Sequence, residues 1–134
     1  MQTNTYLFFD GNCKAAFRFY EKHLGGKIEI LMTGADLPDG TEGMPADMRD
    51  RVMHVRMTLG DTVLMGSDAR PGRHNKPQGF DVSLTVDTPE EAERSFKALA
   101  ENGEVKMPLE QTFFATRFGS LVDQFGIPWM VNCE

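Results

Sequence analysis

The sequence runs twice through one order of elements, and that repetition constrains the fold more than any other feature. In the first half Thr5 to Asp10 reads as an apolar, aromatic strand, broken by Gly11-Asn12 with Asn12 placed as a helix N-cap. Cys13, Ala16, Phe17, Tyr20 and Leu24 then recur at the spacing of one helical face, and Gly25-Gly26 ends the helix. Lys27 to Thr33 alternates as a strand through Ile28, Ile30 and Met32. Val52 to Leu59 and Thr62 to Ser67 form a hairpin across Gly60-Asp61, a two-residue turn of the primed type. In the second half Phe80 to Asp87 alternates through Val82, Leu84 and Val86. Thr88-Pro89-Glu90-Glu91 is a capping box with proline at the first helical position. Ala92, Phe96 and Leu99 make the buried stripe, and Asn102-Gly103 ends the helix. The remaining strands are Glu104 to Met107, Phe113 to Phe118 and Ile127 to Asn132, the last two joined around Asp123-Gln124-Phe125-Gly126. Laid over each other 77 positions apart, the halves match at Leu7/Leu84, Asp10/Asp87, Ala15/Ala92, Phe19/Phe96 and Gly26/Gly103.

The fold class expected from this order is α+β: two βαβββ modules, an internal duplication within a single domain spanning residues 1–134. Module one covers about 1–68, a linker about 69–79, and module two about 80–134. Each module has one helix on one face of its sheet, so the uncovered faces predict a cleft. Which residues face it depends on strand register, because a slip of one residue exchanges the two faces of a strand.

Charge and composition narrow the partners. Fourteen basic against twenty acidic residues give a net charge of −6, which argues against a nucleic acid or an anionic membrane. The longest unbroken aliphatic or aromatic run is Tyr6-Leu7-Phe8-Phe9, far short of the ~20 residues of a membrane span. Met1 to Thr5 has no basic residue and no apolar segment of signal type after it, so a cytoplasmic protein is expected. Cys13 and Cys133 form no CxxC pair and read as reduced thiols. A second reading makes Cys13, in the first turn of its helix, a reactive thiol. Two connections are long. Gly34 to Arg51 reads either as a solvated surface loop or as a lid over the cleft. Asp68 to Gly79 holds Arg70, Arg73, His74 and Lys76 between two prolines.

The duplicated order resembles the vicinal oxygen chelate superfamily, which holds glyoxalase I, ring-cleaving dioxygenases and bleomycin- and fosfomycin-resistance proteins, and within it the PhnB-like branch. The residues that carry the resemblance are Tyr6-Leu7-Phe8-Phe9-Asp10-Gly11-Asn12, Ala16 through Phe19-Tyr20, Val52-Met53-His54 and Leu64-Met65-Gly66-Ser67-Asp68. They continue through Thr112-Phe113-Phe114, Phe118-Gly119 and the run from Asp123-Gln124-Phe125-Gly126 to Ile127-Pro128-Trp129-Met130-Val131-Asn132. Phe114 stands where the branch has Trp, and Gln124 where it has Pro. The resemblance implies a homodimer and a small-molecule ligand. It puts the metal-ligand positions of the active members on Thr5 and Asp81, on Leu64 or Met65, and on Met130. Thioether and alkyl groups do not ligate a hard divalent ion, and His23, His54 and His74 show no ligand spacing, so neither metal nor cofactor is expected. The branch also carries a 3-demethylubiquinone methyltransferase label. The first strand-to-helix junction, Asp10-Gly11-Asn12-Cys13, has no G-x-G of the kind that receives S-adenosylmethionine.

Each candidate site residue has two readings. His54, mid-strand with Arg56 and Thr58 on the same side, is either a satisfied core or interface histidine or a cleft group that binds ligand or acts as a base. Asp81, Ser83 and Thr85 are either a solvated face or cleft polar groups. Arg117 shares that ambiguity, and Phe9, Phe114, Phe125 and Trp129 are core or pocket wall. Met53, Met57, Met65 and Met130 are core packing or an adaptable pocket wall. The expected ligand-binding set is His54, Arg56, Asp81, Phe114, Arg117 and Trp129, polar at the His54–Arg56–Asp81 end and aromatic at the Phe114–Trp129 end. The expected function is metal-free binding of a small molecule. The alternative is a glyoxalase-type enzyme on an oxygenated substrate, with His54 or Asp81 as base.

Overall fold

The apolar stripe of each predicted helix needs a sheet to cover it, and each half supplies one. The computed structural model of the protein describes residues 1–36 and 46–134, so most of the expected lid, 37–45, lies outside the described residues. The chain divides into two units, Met1–Asn75 and Lys76–Glu134. In the first, β1 (Thr5–Phe9), α1 (Cys13–Leu24) and β2 (Lys27–Thr33) are followed by a 3₁₀ turn at Gly34–Asp36 and the short helix α2 (Ala46–Arg49). The hairpin β3 (Val52–Leu59) and β4 (Thr62–Asp68) completes it. The sheet order is β1-β4-β3-β2, with β1 parallel to β4 and the other pairs antiparallel. The second unit repeats this with β5 (Val82–Thr85), α3 (Pro89–Ala100), β6 (Glu104–Glu110), β7 (Arg117–Val122) and β8 (Pro128–Cys133), in the order β5-β8-β7-β6. The duplicated βαβββ plan is therefore the observed fold.

The two helices bury the same pattern, Cys13, Ala16, Phe17 and Tyr20 in α1 and Ala92, Ser95, Phe96 and Leu99 in α3. Those stripes superpose 79 positions apart, whereas Leu7 and Leu84 on the first strands are 77 apart. Phe96 is thus the counterpart of Phe17, not of Phe19 as the sequence match proposed. In each unit the helix phenylalanine lies on a sheet glycine. Phe17 covers Gly66, and a Cβ there would stand 2.8 Å from its ring; Phe96 covers Gly119 at the same 2.8 Å. Gly66 pairs with Val55, and Gly119 with Val131. Each unit places one glycine beside one valine under its aromatic ring, on opposite strands of the equivalent pair. The small residue admits the ring, and the valine beside it is fully buried.

Several expected boundaries move. The strand expected over Phe80–Asp87 pairs only over Val82–Thr85, and β6 runs on to Glu110 through Pro108. Phe113–Thr116, expected in a strand, are not in one. Thr112 Oγ1 accepts from the N–H of Phe114 (3.3 Å) and Ala115 (3.1 Å), and Thr112 N–H donates to the Ala115 carbonyl (3.0 Å). That hydroxyl-capped turn uses the backbone groups a strand would need, so pairing starts at Arg117.

Helix starts divide likewise. Thr88 caps α3 as its sequence predicts, its hydroxyl accepting from Glu91 N–H at 3.1 Å. Asn12 makes no side-chain cap on α1. The carboxylate of Asp68, at the end of β4, takes that role from 55 residues away: Oδ1 accepts from Gly11 N–H (2.8 Å) and Cys13 N–H (3.1 Å). Its Oδ2 accepts from Val52 N–H (2.8 Å) at the start of β3. An anion at a helix N-terminus with three N–H donors outperforms a neutral local amide. In the second unit buried Asp123 holds the β7–β8 turn. Its Oδ1 accepts from Phe125 N–H (2.9 Å) and Ile127 N–H (3.0 Å), and Oδ2 from Trp129 Nε1 (2.9 Å).

Candidate functional site

Alternation along β3 sends Val55 and Met57 to the helix-covered side of the first sheet and His54, Arg56 and Thr58 to the other. On β1 it sends Leu7 and Phe9 into the core and leaves Tyr6 (37% exposed) and Phe8 (55%) on the uncovered side. Cross-strand pairing sets these residues in two rows. One runs Tyr6, Met65, Arg56, Ile30; the other joins Phe8 to Ser67 and His54 to Met32. The uncovered face thus carries large apolar and aromatic side chains beside one imidazole and one guanidinium.

At its centre the rings of Tyr6 and His54 stack at a centroid distance of 5.8 Å and 22°, and Phe8 tilts against Tyr6 at 5.2 Å. Tyr6 Oη and His54 Nδ1 are 3.2 Å apart, within hydrogen-bond distance. That contact occupies one ring nitrogen and leaves Nε2 as the polar group His54 can offer to a ligand. Arg56 Nε pairs with Glu29 at 3.3 Å. Ser67 is buried, and Ile30 and Met32 are exposed. A stacked phenol–imidazole pair framed by phenylalanine, isoleucine and methionine suits a flat organic ring with a hydrogen-bonding edge.

Of the residues singled out in the sequence, His54 and Arg56 share this face. Asp81, Phe114, Arg117 and Trp129 belong to the second unit. Asp81 is exposed and precedes β5. Phe114 is 53% exposed and stacks edge-on against Phe118, itself on the uncovered face of β7, at 5.2 Å. Two expectations are corrected. Trp129 is core: it is 1% exposed, pairs with buried Leu121 on the helix-covered side, and its indole N–H is bound to Asp123. Arg117 also faces the helix side, where Nε meets Glu93 of α3 at 3.4 Å and Nη1 donates to the Thr116 carbonyl at 2.8 Å. Starting β7 at Arg117 fixes that orientation, since Gly119 and Leu121 on the same side are buried. Met57 is core, whereas Met65 and Met130 are half-buried on uncovered faces. The sequence does not single out Tyr6 and Phe8, because the whole strand is apolar and its alternation does not say which pair is buried.

Cys13 is no nucleophile. Burial first, and the Asp68 carboxylate second, push its thiol pKa far above the ordinary value, outweighing the helix N-terminus.

The positions the resemblance assigns to metal ligands do not fit a hard divalent ion. Thr5 and Asp81 are exposed, Leu64 is buried, and Met65 and Met130 offer only thioethers. Among the described residues no group of three or more His, Cys, Asp and Glu side chains is gathered, and no helix is long and apolar enough to cross a membrane.

Comparison with known proteins agrees with this fold. The family model described as Glyoxalase/Bleomycin resistance protein/Dioxygenase superfamily matches residues 2–131. Protein YjdN of Escherichia coli K12 is 33% identical over 98% of this chain and 95% of its own length. The crystal structure of protein PA1353 from Pseudomonas aeruginosa superposes with a TM-score of 0.90 at 47% identity, covering 100% of this chain and 98% of the other. The PhnB protein of Bacillus cereus shares the fold, with a TM-score of 0.82, 24% identity and full coverage of both chains.

Proposed function

The chain belongs to the Glyoxalase/Bleomycin resistance protein/Dioxygenase superfamily, and from that premise we propose that it binds a small, flat organic molecule on the uncovered face of its first sheet, by stacking and hydrogen bonds without a metal ion. The observation that carries this reading is the Tyr6–His54 pair, stacked and within hydrogen-bond distance on a face lined by exposed Phe8, Ile30 and Met32. Exposed large apolar groups around a defined polar pair are the usual composition of a ligand site. Binding is favoured over base catalysis because no carboxylate pairs with His54 among the described residues, and Asp81 stands outside the strands with no hydrogen-bond partner there. A homodimer and a cytoplasmic location belong to the same proposal.

The test is saturation-transfer NMR with indole, phenol and benzoate as probes. Transfer to at least one probe is expected in the wild type, and Tyr6→Ala and His54→Ala should each reduce it about tenfold, the worth of one stacked or hydrogen-bonded group. Trp129→Phe and Arg117→Gln should leave it unchanged, since both side chains face the helix. Loss of transfer in those two, with none in the Tyr6 and His54 variants, would refute the reading.

A further inference from the structure

The acidic chain concentrates positive charge in one place. Between Asp68 and Asp81 there is no carboxylate, yet Arg70, Arg73, His74 and Lys76 follow in close succession. The first three fall in one concave turn. Arg73 N–H donates to the Arg70 carbonyl at 2.9 Å, and Gly72 takes φ 76, a conformation that favours glycine. Arg70, Gly72, Arg73, His74 and Asn75 line a cavity of about 530 Å³ open to solvent, within the roughly 300–1,000 Å³ of small-molecule sites.

The turn is anchored along β1. Ala69 N–H donates to the Phe9 carbonyl at 2.7 Å, and His74 Nε2 lies 3.3 Å from the Phe8 carbonyl. A carbonyl only accepts, so Nε2 donates and His74 positions the turn. The two guanidinium groups between these anchors are exposed. Arg18, Arg51, Arg56 and Arg117 each pair with a carboxylate, whereas Arg70 and Arg73, like Arg94 on α3, have none among the described residues, and only Arg70 and Arg73 share a cavity.

We infer that this turn is an anion site for a phosphoryl-type group, a tetrahedral dianionic oxyanion carried by a small molecule. Two guanidinium forks match such a group bidentately, and the Asn75 amide adds a further donor. A planar carboxylate offers two oxygens, too few to engage both forks and the amide together. A cavity walled by one sign of charge also concentrates anions against the net charge of the chain. The inference rests on the turn alone and does not depend on aromatic binding at Tyr6 and His54.

The test is titration of the full-length protein with inorganic phosphate, and separately with phenyl phosphate, at low salt, followed by amide NMR. Saturable shifts confined to residues 69–76 are expected with both probes, the rest of the spectrum reporting an unchanged fold. Arg70→Gln and Arg73→Gln should each weaken binding about tenfold, the effect of one charge-assisted hydrogen bond. Arg94→Gln removes the same charge from the exposed side of α3 and should change it less than about twofold. The inference is overturned if the shifts do not saturate, if Arg94→Gln weakens binding as much as the turn variants, or if acetate, with a single planar carboxylate, binds as tightly as phosphate. Binding to phosphatidylglycerol vesicles without binding to either phosphate probe would also overturn it.

Discussion

Replacing Asp68 by Asn should cost more stability than any other single-atom exchange near α1. The carboxylate accepts three backbone N–H groups, from Gly11 and Cys13 on one oxygen and Val52 on the other. An amide keeps one oxygen. Oriented to serve Gly11 and Cys13, it turns its NH₂ on the Val52 donor, and one part-buried N–H loses its partner at about 1–3 kcal/mol. The negative charge at the helix N-terminus, worth about 0.3–1 kcal/mol, is lost as well. The sum is about 1.3–4 kcal/mol, or a fall in Tm of about 5–16 °C at ~4 °C per kcal/mol for a chain of this size. Flipping the amide the other way orphans two donors instead of one. Asn12→Ala is the matched control: Asn12 makes no side-chain cap, so its loss should stay within about 0.5 kcal/mol, against about 1 kcal/mol for a working cap. Urea denaturation followed by circular dichroism measures both, with a shift in midpoint at constant m. A cost of 1 kcal/mol or more for Asn12→Ala, with a smaller one for Asp68→Asn, would refute the assignment of the cap to Asp68.

Three further outcomes are expected. Gly66→Ala and Gly119→Ala should each destabilise by at least about 1–3 kcal/mol in urea melts, because the added methyl would meet backbone as well as an aromatic ring. Gly66 would put it 2.8 Å from the Leu7 carbonyl oxygen, and Gly119 2.9 Å from Leu109 Cα; a cost below 0.5 kcal/mol in either would refute the packing account. Cys13 (0% exposed) and Cys133 (1%) should not react with a disulfide reagent in the folded protein, and both should react in urea. The folded Cys13 pKa is raised above its ordinary 9.0, so this group's contribution to stability is full below pH 9. It is lost as the pH rises beyond that, where only the unfolded thiol ionises, and Cys13→Ala should flatten the decline.

What the sequence by itself determined was everything set by local chemistry. Two helices with stripes at i, i+3, i+4 and i+7, the Thr88 cap, the hairpin over Gly60 and the Asp123 turn each depend on residues within a few positions of one another, and each is where the pattern put it. The duplicated order followed from these. The tertiary structure decided what depends on partners distant in the chain. Asp68 reaches back 55 residues to displace Asn12 as the cap, and no local signal marks it out. Strand faces were legible where polar and apolar residues alternate, as at His54, Arg56 and Thr58. They were not legible in Tyr6-Leu7-Phe8-Phe9, where burial of Leu7 and Phe9 under α1 is what left Tyr6 and Phe8 exposed. Trp129 and Arg117 were misassigned for the same reason. Hydrophobicity and charge state what a side chain can do, but the pairing register of β7 with β8, set by where the Thr112 turn releases the chain, chose the side from which they do it.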